Sequence, residues 1–234
     1  SNVNITDIHS LVAMTLRGNL RTVFDFYPAT SYFKQNAIQV LDMSGLNEFT
    51  AEKVIYNMLS GLTSLIQIKF PTFTNALGGR YNTSYLFNGN FNLREVDLSI
   101  VSITNAVSTE YMFSGCTALS TIDISNFDMS LVTYTTAMFS NCTSLENLIC
   151  TDTIFPSISF SLGNSPLLKN SSLINVANAL PVVSTSPTLT LHATPKARLS
   201  TIMGTVADGV FTADESGDTT LLSFINNKKG WTVA

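Results

Sequence analysis

Two histidines, three cysteines and sixteen carboxylates are the side chains of this 234-residue chain with the chemistry to act as bases, nucleophiles or ligands. A serine or cysteine nucleophile needs a base within hydrogen-bond reach. His9 and His192 lie far apart in sequence, towards opposite ends of the chain, which leaves no base in the stretch that holds Cys116, Cys142 and Cys150. Ser31-Tyr32-Phe33-Lys34 has a Ser-x-x-Lys spacing but none of the companion motifs of the enzymes that use it. Asp214-Glu215-Ser216-Gly217-Asp218 lacks the spaced ligands and closing glutamate of a calcium loop, and reads as a turn before the last helix. The expectation is a non-enzymatic chain with no cofactor and no metal site.

The cysteines are odd in number and form no Cys-x-x-Cys pair, which argues against a disulfide scaffold. Cys116 and Cys142 share a repeat position and should stack in adjacent coils. A disulfide between them is geometrically conceivable, but they and Cys150 read as buried free thiols packing as small hydrophobes. What remains is recognition without covalent chemistry, and its candidate residues emerge only from the repeat that positions them.

Met112 to Ser125 recurs nearly verbatim from Met138 to Thr151. Aligned on this stretch, Leu-x-x-Leu-x-Leu appears as Leu119-Ile122-Ile124 and Leu145-Leu148-Cys150, and earlier as Leu93-Val96-Leu98, Leu65-Ile68-Phe70 and Ile38-Leu41-Met43. The anchors are spaced by 27, 28, 26 and 26 residues, within the interval of leucine-rich repeats, each of which contributes one short strand to a solenoid. The fold class expected is α/β, a leucine-rich-repeat solenoid with short parallel strands in one curved sheet, short helices and turns opposite, and helical caps. Residues 1–34 read as the N-terminal cap, 35–168 as about five repeats, and 169–234 as a divergent final repeat and C-terminal cap, all in one continuous domain.

Within each strand the leucines point inward and alternate positions face out, because side chains alternate with period two. That face presents Val40, Asp42, Gln67, Lys69, Glu95, Asp97, Thr121, Asp123, Asn147 and Ile149. Gln67, Lys69, Glu95, Asp97, Thr121, Asp123 and Asn147 are the candidate ligand-binding residues, since solenoids use this extended surface for partners. A bland reading stands beside it, in which the aspartates only accept hydrogen bonds from neighbouring Ser or Thr. Before each anchor, Met58-Leu59-Ser60-Gly61, Leu86-Phe87-Asn88-Gly89, Met112-Phe113-Ser114-Gly115 and Met138-Phe139-Ser140-Asn141 place Gly or Asn where a positive φ closes a short helix.

The flanks deviate from the repeat. Asp7 is placed to cap an amphipathic helix through Ile8, Leu11, Val12 and Leu16, with a first strand at Phe24-Asp25-Phe26. Further on, Ser172 precedes a helix through Leu180, a strand is delayed to Thr188–Leu191, and Thr194 opens a helix with Pro195 at its first position and Gly204 past its end. Asp218 opens a last helix ending near Lys228 and Lys229, and Trp231 to Ala234 form a closing strand.

Composition narrows the partner. Charged residues are only 12% and the net charge is -4, so the surface relies on Ser, Thr and Asn, and no basic patch exists to hold phosphates. Nucleic acid is therefore excluded as a partner. No apolar run reaches the length of a membrane span. The chain starts at Ser1 without an initiator Met and reads as a processed or truncated start.

From Met112-Phe113-Ser114-Gly115-Cys116-Thr117-Ala118-Leu119 through Ile122-Asp123-Ile124-Ser125-Asn126-Phe127-Asp128-Met129-Ser130 to the renewed Met138-Phe139-Ser140-Asn141-Cys142, the sequence resembles the BspA-like leucine-rich repeats of surface proteins of oral and gut bacteria and some mucosal protozoa. The tail Lys229-Gly230-Trp231-Thr232 resembles the closing segment of such proteins. The resemblance implies a secreted or cell-surface bacterial module, extracellular and non-enzymatic, that binds a protein or glycan in adhesion or recognition. A monomer is expected. The alternative is a structural spacer or stalk of a larger surface or phage-like assembly.

Overall fold

The computed structural model describes residues 13–20, 37–49, 56–57, 59–70, 81–98, 105–125, 127–150 and 155–234. Its frame is a parallel-strand solenoid of about four turns. Strands β1 (Ala13–Leu20), β2 (Val40–Phe49) and β3 (Gln67–Lys69) form one parallel sheet. After β4 (Tyr81–Asn82), strand β5 (Glu95–Asp97) pairs in parallel with β7 (Thr121–Asp123), and β7 with β8 (Asn147–Ile149). Strand β6 (Ala106–Ser108) pairs with β4 elsewhere on the coil.

The leucine pattern sets this register as expected. Glu95, Val96 and Asp97 lie opposite Thr121, Ile122 and Asp123, which lie opposite Asn147, Leu148 and Ile149. Each central residue is wholly buried between more accessible neighbours. Backbone bonds carry the stack past the strands: the Ile66 amide donates to Gln39 O, Arg94 to Ile66 O, Ser120 to Arg94 O, Glu146 to Ser120 O and Lys169 to Glu146 O, at 2.8 to 3.3 Å. One slip by a residue would turn every leucine to solvent.

Of the short helices and turns expected opposite the strands, the turns form at these lead-ins and the helices do not. Tyr85, Phe87 and Gly89 donate their amides to the carbonyls of Glu110, Met112 and Ser114 at 2.8 to 2.9 Å. Tyr111, Phe113 and Gly115 do the same to Thr136, Met138 and Ser140. These amides therefore bond to the next coil, where a helix would have spent them on its own carbonyls. The positive φ anticipated at Gly61, Gly89, Gly115 and Asn141 is present, at 59 to 79°, without a helix to close. Inside the turns, Phe87, Phe113 and Phe139 stack with centroids 5.3 and 5.6 Å apart, each pair contributing about 0.5–1.5 kcal/mol beyond area burial.

At the N-terminal side, Ala13–Leu20 is a strand where the apolar spacing suggested the second half of a helix, because pairing with β2 supplies its backbone bonds. Tertiary pairing overrides local pattern here. Residues 1–12, and with them Asp7, Ile8 and His9, lie outside the described residues, as do Phe24–Phe26 and Ser31–Lys34.

Beyond β8 the chain changes character. Strand β9 (Phe160–Leu162) and β14 (Thr232–Val233) flank β10 (Thr188–Leu191) in a parallel sheet, so both the delayed strand and the closing strand form where expected. Helix α1 (Asn170–Ala179) begins two residues before Ser172, which sits inside it. Helix α2 (Ala193–Arg198) is opened by His192, whose Nδ1 accepts the Thr194 amide at 3.2 Å, so Thr194 is not the cap and Pro195 is not first.

Gly204 lies in β11 (Met203–Ala207), part of an antiparallel sheet with β12 (Val210–Ala213) and β13 (Thr219–Thr220) that the sequence pattern did not suggest. A Cβ on Gly204 would fall 2.3 Å from the Thr212 carbonyl oxygen. The last helix starts at Leu221, capped by the Thr220 hydroxyl and not by Asp218; α3 (Leu221–Ser223) runs into a π-helical turn over Phe224–Lys228. Buried residues from Ile38 to Trp231 form one apolar cluster.

Candidate functional site: the strand face and the outward turns

The strand face assembles in the two columns that the register demands. One carries Val40, Gln67, Glu95, Thr121 and Asn147; the other carries Asp42, Lys69, Asp97, Asp123 and Ile149. Within β2–β3 and within β5–β7–β8 the pairing is direct, and the Arg94 amide on Ile66 O links the two groups. Gln67, Lys69, Glu95 and Asp97 are exposed, while Thr121, Asp123 and Asn147 are half-buried. All seven candidate residues therefore share one side of the coil.

The columns differ in how far their side chains are committed. Asp123 Oδ1 accepts the Ser125 amide at 2.9 Å and the Ser125 hydroxyl at 2.7 Å. Asp42 Oδ1 does the same for Ser44, at 3.0 and 2.6 Å, and its other oxygen lies 4.0 Å from Lys69 Nζ. The bland reading of these two aspartates therefore holds: Asp123 fixes the chain where β7 ends, and Asp42 makes the same local contact inside β2, as Asp side chains do two residues ahead of a backbone amide. In the first column, Asn147 Nδ2 donates to Thr121 Oγ1 at 3.2 Å. Glu95 and Gln67 extend beside this pair.

The three thiols are free and buried. Cys116 Sγ donates to Phe87 O at 3.1 Å and Cys142 Sγ to Phe113 O at 3.3 Å. Asn90 fills the same position one coil earlier: its Nδ2 donates to Leu59 O at 2.9 Å and its Oδ1 accepts the Leu62 amide at 2.8 Å. Burial pushes the Cys116 and Cys150 thiols up to about 12, and that of Cys142 well above its ordinary value. Such thiols are inert as nucleophiles.

Asp214 belongs to a turn, as expected, with its carboxylate held below the usual range by hydrogen bonds from the Ser216 hydroxyl and amide. Among the described residues no group of three or more His, Cys, Asp and Glu is placed to hold a metal ion, and no helix is long and apolar enough to cross a membrane.

A second surface was not singled out from the sequence. Tyr85 and Tyr111 stack with centroids 5.0 Å apart and planes 10° from parallel, and Tyr56 meets Tyr85 edge-on at 5.7 Å. Both stacked tyrosines have positive φ, 61° and 54°, as do Asn57 and Ala137 at the equivalent places. A bulky residue in that region is uncommon and costs about 1–2 kcal/mol relative to the right-handed conformation. Partial burial, then Tyr111, Tyr56 and Glu110 alongside, pushes the Tyr85 phenol above its usual value. The signal that finds this surface is the 26-residue interval between Tyr85 and Tyr111, which the leucine register makes equivalent.

Compared with known proteins, residues 80–154 match a family model described as "Mycoplasma protein of unknown function, DUF285", a span that includes β5, β7, β8 and the tyrosine stack. No curated protein and no solved structure matches the chain.

Proposed function

We propose that this chain is a leucine-rich-repeat module of the BspA-like kind, extracellular or displayed on a bacterial cell surface, that recognises a protein or glycan without catalysis. The observation that carries the reading is the strand face itself. Gln67, Glu95, Thr121 and Asn147 fall in one column, and Lys69, Asp97 and Asp123 in the next, over a floor of wholly buried Val96, Ile122 and Leu148. A rigid, repeating backbone holds such side chains in place before a partner arrives, which lowers the ordering cost of association.

The face is polar and of mixed sign, suited to hydrogen bonding rather than to phosphate capture. The family match over residues 80–154 supports the repeat reading at the coils that carry most of this column. The test is an array of host-matrix proteins and glycans probed with the isolated chain. A saturable ligand whose affinity falls with Glu95→Lys and Thr121→Arg supports the assignment; a ligand indifferent to both moves the site elsewhere, and no ligand at all favours the spacer.

A further inference from the structure

The outward turns form a strip of unusual chemistry. In register, the turns 57–63, 85–91, 111–117 and 137–143 present Asn57, Tyr85, Tyr111 and Ala137 in one column, Ser60, Asn88, Ser114 and Ser140 in the next, and Gly61, Gly89, Gly115 and Asn141 in a third. None of the four turns contains a Lys, Arg, Asp or Glu. The floor is bare backbone: a Cβ on Gly115 would meet the Gly89 Cα at 3.4 Å, and one on Gly89 would find the Gly61 Cα at 3.9 Å. Ser60 Oγ donates to Asn88 O and Asn88 Nδ2 to Ser114 O, at 3.1 and 3.2 Å, which aligns the polar column along the coil axis.

The tyrosine column ends abruptly. Tyr85 covers one face of Tyr111, but the next coil supplies Ala137 at the same left-handed position, φ 54° in both. Among the described residues the Tyr111 ring stacks on Tyr85 alone. At the equivalent position of the next coil Ala137 carries only a methyl group, so no further ring continues the stack. Tyr134 of that same coil is 60% exposed. The left-handed conformation itself is demanded by the repeat, since Asn57 and Ala137 share it. The tyrosine side chains are not demanded by it, because among residues with a Cβ it is Asn, as at position 57, that tolerates this region best.

We infer that the outward turns are a second binding surface, for a neutral glycan, in which the open face of Tyr111 over Ala137 receives a pyranose ring and the Ser60–Asn88–Ser114 column meets its hydroxyls. The turns themselves carry no charge, and the Glu110 carboxylate beside Tyr85 disfavours an anion, which leaves a neutral ligand as the match. Tyr joins an apolar ring face to a polar edge, and a glycine floor lets a chain molecule approach the backbone closely. This surface is separate from the strand face, and neither assignment depends on the other.

The test is titration of the full chain with neutral hexasaccharides, β-1,4- and α-1,4-linked glucans, a β-1,4-mannan and β-1,4-linked N-acetylglucosamine, read by tyrosine fluorescence and calorimetry. At least one should bind saturably. Tyr111→Asn removes the ring while suiting the positive φ, and Ala137→Tyr adds a rung on the open face; each should weaken binding at least tenfold with an unchanged far-ultraviolet dichroism spectrum. Glu95→Lys on the strand face should leave this binding intact. Binding by none of the four sugars overturns the inference, as does binding that survives both turn variants; should one variant fail to fold, the other decides.

Discussion

The Leu148 amide donates to the Ser172 hydroxyl at 2.9 Å, a side chain standing where the next strand of the solenoid would be. The same hydroxyl donates to Glu146 O at 2.9 Å, so one serine of α1 satisfies both a donor and an acceptor on the outer edge of β8. An exposed parallel edge is a template for pairing with another chain, and here a helix closes it. Ser172→Ala leaves the buried Leu148 amide unpaired, at a cost of about 1–3 kcal/mol, while Glu146 O keeps the Lys169 amide. A urea melt should show a lowered midpoint, while exposed Ser171→Ala stays within about 0.5 kcal/mol of the parent.

The inward positions carry the register. Leu119 and Leu145 are wholly buried, and an aspartate at either buries an unpaired charge at a cost of several kcal/mol. Leu119→Asp and Leu145→Asp should abolish the cooperative transition, whereas Glu95→Lys, at an exposed strand position, should melt like the parent. Equal midpoints in both groups would mean that the register is misplaced.

Asn90, Cys116 and Cys142 form a single rung type. The Asn90 amide donates to the Cys116 sulfur, just as the Leu62 amide donates to Asn90. Cys116→Asn should therefore hold stability within about 1 kcal/mol, the net worth of one hydrogen bond. Cys116→Ala should lose more than that, because it removes the Sγ contact to Phe87 O and leaves a void where the wholly buried sulfur packed. Reversal of this order in denaturant melts would contradict the rung.

The buried thiols also set a pH dependence. Cys116 and Cys150 ionise at about 12 in the folded chain against an ordinary 9.0, so unfolding releases protons above pH 9. Their contribution is fully present below about pH 9 and declines as pH rises from there toward 12. The melting midpoint should fall across that window, and by less in Cys150→Val. In the native chain at pH 8, an aromatic disulfide reagent should titrate none of the three thiols, and all three after denaturation. Rapid native labelling would show that these sulfurs are accessible.

The strand register was legible because Leu119, Ile122 and Ile124 repeat at Leu145, Leu148 and Cys150, and burial leaves a period-two pattern no alternative. The seven strand-face candidates followed from the same period. Whether the lead-ins are short helices or turns was not legible, since Met-Phe-Ser-Gly looks alike in both and the difference lies in where the amides bond: Phe113 N reaches Met138 O, a partner 25 residues away. Pairing with β2 made Ala13–Leu20 a strand for a similar reason. The stacked tyrosines were hidden because an aromatic residue at positive φ is a poor local choice, visible only once Tyr85 and Tyr111 are known to be one coil apart.

The most direct measurement is the affinity of the chain for an array-selected protein or glycan ligand, compared with Glu95→Lys, Thr121→Arg and the pair combined. These substitutions avoid Asp42 and Asp123, whose carboxylates hold Ser44 and Ser125. Recognition through the strand face predicts at least a tenfold loss for each single variant, about 1.4 kcal/mol, with unchanged melting. Parent-like affinity in the double variant would contradict it.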